Sequence, residues 1–208
     1  MVDMASRASA PAGAPVGPAE APATEPLARL SDRRYAEARR QIRDGDVFLF
    51  RGRRLLSYAI CWLTRSKYSH AGIAAWWGQR LMVLEADEPG VVAVPLSACV
   101  KRYVGGIEWW TTDAEVDRAK VVDAAKQCLG RKFAVWAMVA VLRRVIGRVR
   151  RGEHDPERAP AEFFCAQFVS YAYNKGGLDL APRVPDSLTE PGDIARALGM
   201  RRVAVLKR

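Results

Sequence analysis

Of four cysteines and two histidines in the chain, one of each sits where it can do chemistry. Cys165 lies in FFCAQFVSYAY, near the start of a segment, 162–175, that reads as a helix ended by Gly176-Gly177. A helix N-terminus presents unpaired N–H groups and a partial positive charge. Both favour a thiolate, and the same amides can hold the oxyanion formed when a carbonyl is attacked. His70 opens the apolar stretch of SHAGIAAW, where an imidazole can take the thiol proton and return it. A cysteine flanked by Phe163, Phe164 and Phe168 also suits plain core packing, as does a single histidine on an apolar strand. Spacing alone favours those plainer roles. His154, in the charged run EHDPER, reads as a surface residue.

A carboxylate is the missing partner, and a hairpin supplies two. SHAGIAAWW (69–77) and RLMVLEAD (80–87) flank Gly78-Gln79, a plausible tight turn. With those two residues in the turn, Trp77 pairs with Arg80, Gly72 with Glu85 and His70 with Asp87. Directly opposed residues share a face, so His70, Glu85 and Asp87 project together. Either carboxylate can then fix the imidazole in one tautomer. A change of one residue in the loop would send both carboxylates to the opposite face.

The elements that must position these groups follow a readable order. Residues 1–26 are almost entirely Ala, Pro, Gly and Ser and read as a disordered tail. A basic helix is predicted over 27–43, and the folded domain spans 44–208. Asp44-Gly45-Asp46 is a turn signal before the strand VFLFRG. RLLSYAICWLT, 54–64, reads as a short buried helix; further strands are expected at 91–95 and 104–111. Asp113 is the expected cap of a helix reaching Gln127. Phe133 to Leu142 is an apolar run too short to span a bilayer, which takes roughly 20 residues. It continues into Arg143, Arg144, Arg148, Arg150 and Arg151. The stretch 131–151 reads either as a core helix with a solvated basic end or as a helix resting on an anionic membrane. A short helix and a last strand end the chain.

The 208 residues carry 33 Lys and Arg against 23 Asp and Glu, a formal charge of +10. Such an excess favours an anionic partner. Basic residues are not interleaved with aromatics and no nucleic-acid motif is present, which argues against nucleic acid. The N-terminus carries no apolar run of signal-peptide length, so Cys61, Cys99, Cys128 and Cys165 are expected as reduced thiols. Their spacing suits no zinc site, and no metal or organic cofactor is expected. The expected location is cytoplasmic, with a peripheral position at the inner face of a membrane as an option. Nothing in the sequence speaks to oligomeric state.

Four segments occur in a telling order: Asp44-Gly45-Asp46-Val47; Ser66-Lys67-Tyr68-Ser69-His70-Ala71-Gly72-Ile73; Val83-Leu84-Glu85-Ala86; and Phe164-Cys165-Ala166-Gln167-Phe168-Val169. Together they resemble the circularly permuted NlpC-like papain-fold enzymes, in the YiiX/YaeF-like branch related to lecithin-retinol acyltransferase. Thr189-Glu190-Pro191-Gly192-Asp193-Ile194 is similar to the Pro-Gly-Asp segment of that branch. The resemblance covers residues 44–206. It implies an α+β fold, circularly permuted papain-like, with a small antiparallel sheet or barrel packed against helices and the nucleophile at a helix N-terminus. It also implies Cys165 as nucleophile, His70 as general base and Glu85 as the polar third member, with Asp87 in reserve. Tyr68, beside the catalytic strand, is a candidate substrate contact, as is Asp87.

The implied activity is a cysteine hydrolase or acyltransferase working through a Cys165 thioester on an amide or ester. The basic charge, the apolar helix at 54–64 and the stretch 133–149 point to a lipid or membrane-proximal amphiphile. A peptidase or isopeptidase on peptide substrates is the second option, since one fold hosts both. A non-catalytic membrane-binding module that keeps the fold is the third. It would leave Cys165 buried away from His70.

Overall fold

A computed structural model describes residues 34–52, 66–88, 90–134 and 160–208. Its strands form one eight-stranded sheet in the order β7-β6-β4-β3-β2-β1-β5-β8. They are β1 (Val47–Gly52), β2 (His70–Trp77), β3 (Arg80–Asp87), β4 (Gly90–Pro95), β5 (Gly105–Thr112), β6 (Lys132–Phe133), β7 (Glu162–Phe163) and β8 (Met200–Lys207). Neighbours are antiparallel except β6 and β7. The helices are α1 (Leu96–Arg102), α2 (Arg118–Gln127), α3 (Cys165–Lys175) and α4 (Pro191–Arg196), with a 3-10 turn at Asp186–Leu188. The fold class is therefore α+β, as expected.

β1 explains why its sequence is continuously apolar. It lies between β2 and β5 and is covered on both faces, so both sets of alternating side chains are buried. Val47 and Leu49 join the cluster that includes Phe163, Phe168 and Tyr173; Phe48 and Phe50 join a second one with Leu96, Val100 and Leu206. Beyond β5, β8 is an edge strand that exposes Arg201 and Arg202, charges that discourage pairing with another chain. Helix α3 buries every residue from Ala166 to Tyr173, as expected of a helix apolar nearly all round. It packs on α2 and β2. Just past its end, a Cβ on Gly176 would lie 2.4 Å from Val121 Cγ2 and 3.0 Å from the Asp117 carbonyl oxygen. Glycine is the residue that lets α2 come this close.

The start of β1 is pinned by a buried carboxylate. Asp46 is fully buried, and its oxygens accept from the Arg43 amide at 2.9 Å and from Trp109 Nε1 at 2.8 Å. They also accept from the Thr111 hydroxyl at 2.6 Å and from Arg118 Nη1 at 2.8 Å. The Tyr173 hydroxyl donates to the Gly45 carbonyl, tying α3 to the same turn. Removing one member of a buried charge pair strands the other. Asp46→Ala is expected to cost about 3 kcal/mol, read as a lower denaturant midpoint.

Several expected boundaries move. The first helix is described only over 34–39, and a turn at 40–41 ends it before residue 43. Asp117, not Asp113, caps α2, accepting from the Lys120 amide at 3.0 Å. Asp113 instead takes Arg201 Nε at 2.7 Å. Lys132 and Phe133 are strand, not helix, because β4 and β7 offer them ladder partners. The segment expected as one helix from 162 begins with β7, so α3 starts at Cys165 itself. Helix α1 has no counterpart in the expectations. The tail 1–26, the expected helix 54–64, most of 131–151 and His154 lie outside the described residues.

Candidate active site

The β2–β3 hairpin turns at Gly78-Gln79 and pairs Trp77 with Arg80 and Gly72 with Glu85. This is the anticipated register. Glu85 therefore stands on the same face as Gly72, one step diagonally from His70. Its Oε2 lies 2.8 Å from His70 Nε2. A Cβ on residue 72 would come within 2.5 Å of Val83 Cγ1 and 3.3 Å of Glu85 Cβ. Glycine there keeps open the space through which Glu85 reaches the ring.

His70 is fixed from the other side as well. It pairs with Phe50 across β1–β2, and the two rings stand 5.2 Å apart at 57°. Phe50 in turn packs edge-on against Tyr103 at 5.0 Å. Ser69 donates its amide to the Phe50 carbonyl and accepts from the Gly52 amide at 3.0 Å, locking the approach to the strand.

Cys165 is the first residue of α3 and is partly exposed. Its side chain acts electrostatically on His70 and favours the charged ring. Since Nε2 serves Glu85, Nδ1 is the ring nitrogen left for the sulfur. Phe164 caps the helix without a side-chain hydrogen bond, so the first-turn amides are not taken up by the cap residue's side chain. Burial works against a charged His70. The charge of Cys165, then the hydrogen bond and charge of Glu85, outweigh it and hold the ring well above the ordinary imidazole range.

The other thiols differ. Burial, reinforced by the Glu85 charge, pushes Cys99 up to about 12, and burial raises Cys128. Cys99, Cys128 and Cys165 are all free; Cys61 lies outside the described residues.

The structure thus brings together Cys165, His70 and Glu85, and it seats the other two candidates elsewhere. Asp87 is exposed; its Oδ1 accepts from the Glu88 amide at 2.9 Å and it pairs with Gly90 of β4. The ladder between β2 and β3 begins at Gly72, so Asp87 has no strand partner in His70. Tyr68 is buried, and its hydroxyl donates to Glu108 Oε2 at 2.6 Å. Burial and the Glu108 carboxylate push its pKa up, so that hydroxyl is committed inside the protein. Phe50, Gly72 and Cys99 are neighbours of the site that the sequence did not single out. Only the strand pairing of residues 50 and 70 would have pointed to Phe50.

Glu85→Gln tests the geometry. An amide can still hydrogen-bond the ring but no longer balances a positive charge on it. Turnover is expected to fall about a hundredfold or more with KM little changed, as steady-state kinetics would reveal.

No family model matches the chain, and a search of curated proteins also gives no match. Among solved structures, the metalloprotein YiiX from Escherichia coli O157:H7 is similar, with a TM-score of 0.60 and 18% identity over 79% of this chain and 97% of that one. The fold is thus the YiiX/YaeF-like, NlpC-like one. The metal belongs to the neighbour's name. Here the three side chains run in series, sulfur to ring to carboxylate, and among the described residues no three His, Cys, Asp or Glu groups converge as a metal would require.

Proposed function

We propose that this protein is a cysteine-dependent hydrolase or acyltransferase, acting through a Cys165 thioester on an ester or amide of a lipid or membrane-proximal amphiphile. One observation carries the reading: a partly exposed cysteine at a helix N-terminus interacts electrostatically with an imidazole that a buried carboxylate holds at 2.8 Å. A nucleophile, a base within hydrogen-bond reach and a group orienting the base make up the general recipe for attack on an acyl carbon.

In that reaction His70 Nδ1 holds the proton taken from Cys165, and Glu85 balances the ring's charge through Nε2. The sulfur adds to the carbonyl carbon. The oxyanion forms beside the open amides at the head of α3. When the tetrahedral intermediate collapses, Nδ1–H protonates the departing alcohol or amine and a thioester remains. His70 then takes a proton from water or from an acceptor alcohol or amine, which attacks the thioester and frees the sulfur. Among the described residues no helix is long and apolar enough to cross a membrane. The charge of +10 suits an anionic surface.

Mass spectrometry after brief exposure to p-nitrophenyl acetate and p-nitrophenyl decanoate tests this. The expected product is one acyl group per chain, on Cys165, with the longer ester reacting faster. Preference for a peptide amide over both esters would assign the site to peptides. Absence of any adduct on Cys165 would end the proposal.

A further inference from the structure

Glu108 of β5 is a second buried carboxylate and has a different entourage. Its side chain is fully buried. Tyr68 occupies Oε2. Three cations converge on the other oxygen, Oε1: Arg51 Nε at 3.4 Å, Lys67 Nζ at 3.5 Å and Arg202 Nη1 at 3.5 Å. None makes a hydrogen bond to it, and Arg51 Nε is itself a buried donor without an acceptor.

Three cations around one carboxylate leave a local surplus of positive charge. Their side chains are 36%, 53% and 50% exposed, so a ligand in solvent can reach the cluster although Arg51 Nε itself is buried. The seat is built rather than incidental. A Cβ on Gly106 would lie 2.8 Å from Arg51 Nε and 2.9 Å from Nη2, so the guanidinium lies close against the β5 backbone. Lys67 stands over the Tyr68 ring at 4.9 Å. Converging, pre-positioned guanidinium and ammonium donors are what an oxyanion ligand requires.

The cluster adjoins the reactive groups. Arg51 follows Phe50, the strand partner of His70, and Lys67 precedes His70 by three residues. That length of chain spans at most about 10 Å. The Ser69 hydrogen bonds to Phe50 and Gly52 hold the intervening segment on β1.

We propose that Arg51, Lys67 and Arg202, set on Glu108, form a subsite for an anionic group, a phosphate or carboxylate, carried by the substrate whose acyl carbon Cys165 attacks. This inference rests on the acyl-transfer reading for its link to Cys165, but the anion site can be tested without it. Glu108 holds the cations apart and in place; its own charge is too small to neutralise all three.

Binding is measured on Cys165→Ala protein, so catalysis does not enter. The probes are inorganic phosphate, by titration calorimetry, and phosphatidylglycerol vesicles against phosphatidylcholine vesicles, by co-sedimentation. In the Lys67→Gln/Arg202→Gln background, affinity for the bound probe should fall about tenfold or more, the equivalent of a lost charge-assisted hydrogen bond. The charge-matched control Arg80→Gln/Lys120→Gln, on exposed residues elsewhere, should stay within about twofold of the parent. The control should melt with the parent; the Lys67→Gln/Arg202→Gln variant leaves Glu108 with Arg51 and Tyr68 and should still melt cooperatively, at a lower temperature. Phosphate binding that follows this pattern assigns a soluble phosphorylated ligand; vesicle binding alone assigns a lipid headgroup. Equal losses in the two double variants, or no binding of either probe by the parent, would overturn the subsite. An anion site that persists while Cys165 proves unreactive would remove only its link to acyl transfer.

Discussion

Cys165→Ala is expected to lower acyl-enzyme formation and turnover by roughly a million-fold, the scale on which a hydrolase loses its nucleophile. In the proposed reaction the sulfur is the only atom of the relay that bonds to the substrate, so no neighbour can replace it. Cys99 is pushed up to about 12 by burial and by Glu85 and stays a thiol. The fold should tolerate the change. Cys165 is partly exposed at the first position of α3, and alanine is a strong helix former. Stability should therefore stay within about 1 kcal/mol of wild type, so a collapse in turnover with an unchanged melt identifies chemistry rather than folding. Cys99→Ala, assayed beside it, should keep turnover within a few-fold.

His70→Ala should cost roughly a thousandfold at neutral pH, the usual worth of a positioned acid-base group. The loss is smaller than for Cys165 because a cysteine remains a fair nucleophile without help. The pH dependence carries more information. A ring held well above its ordinary value by Cys165 and Glu85 is protonated at and below neutral pH. It loses that proton only as pH rises through the elevated value. Amide substrates need the ring's proton for the departing nitrogen, so their turnover should persist at neutral pH and fall on the alkaline side. Removing Glu85's charge weakens one support of the imidazolium and should move that alkaline limb to lower pH. Turnover against pH for wild type and Glu85→Gln would display the displacement.

Much of this was legible in the sequence because the deciding constraints are local. The hairpin register follows from a two-residue turn at Gly78-Gln79 and the two-residue period of strands, and it delivered Glu85 to His70. The YiiX-like order of motifs anticipated the α+β fold. What stayed hidden depends on tertiary partners. Phe133 and Phe163 look helical within their apolar runs, yet each sits in a two-residue strand held by a neighbour distant in sequence. Asp113 and Asp117 are both acceptable helix caps; the ion pair of Asp113 with Arg201, 88 residues away, takes the first of them out of contention. Tyr68 beside the strand of His70 suggested substrate contact, but its hydroxyl turns to Glu108, a carboxylate that nothing local identifies as buried. The cation cluster was invisible for the same reason, since Arg51, Lys67 and Arg202 meet only in three dimensions.

The measurement that bears most directly on the central claim is alkylation with limiting iodoacetamide at mildly acidic pH, read by intact mass. Wild type, His70→Ala and Cys165→Ala would be compared. At that pH an ordinary thiol reacts slowly, because the thiolate is the nucleophile. The account predicts one fast label on wild type, absent from Cys165→Ala and slowed in His70→Ala. Slow labelling spread over several cysteines, and indifferent to His70, would contradict it.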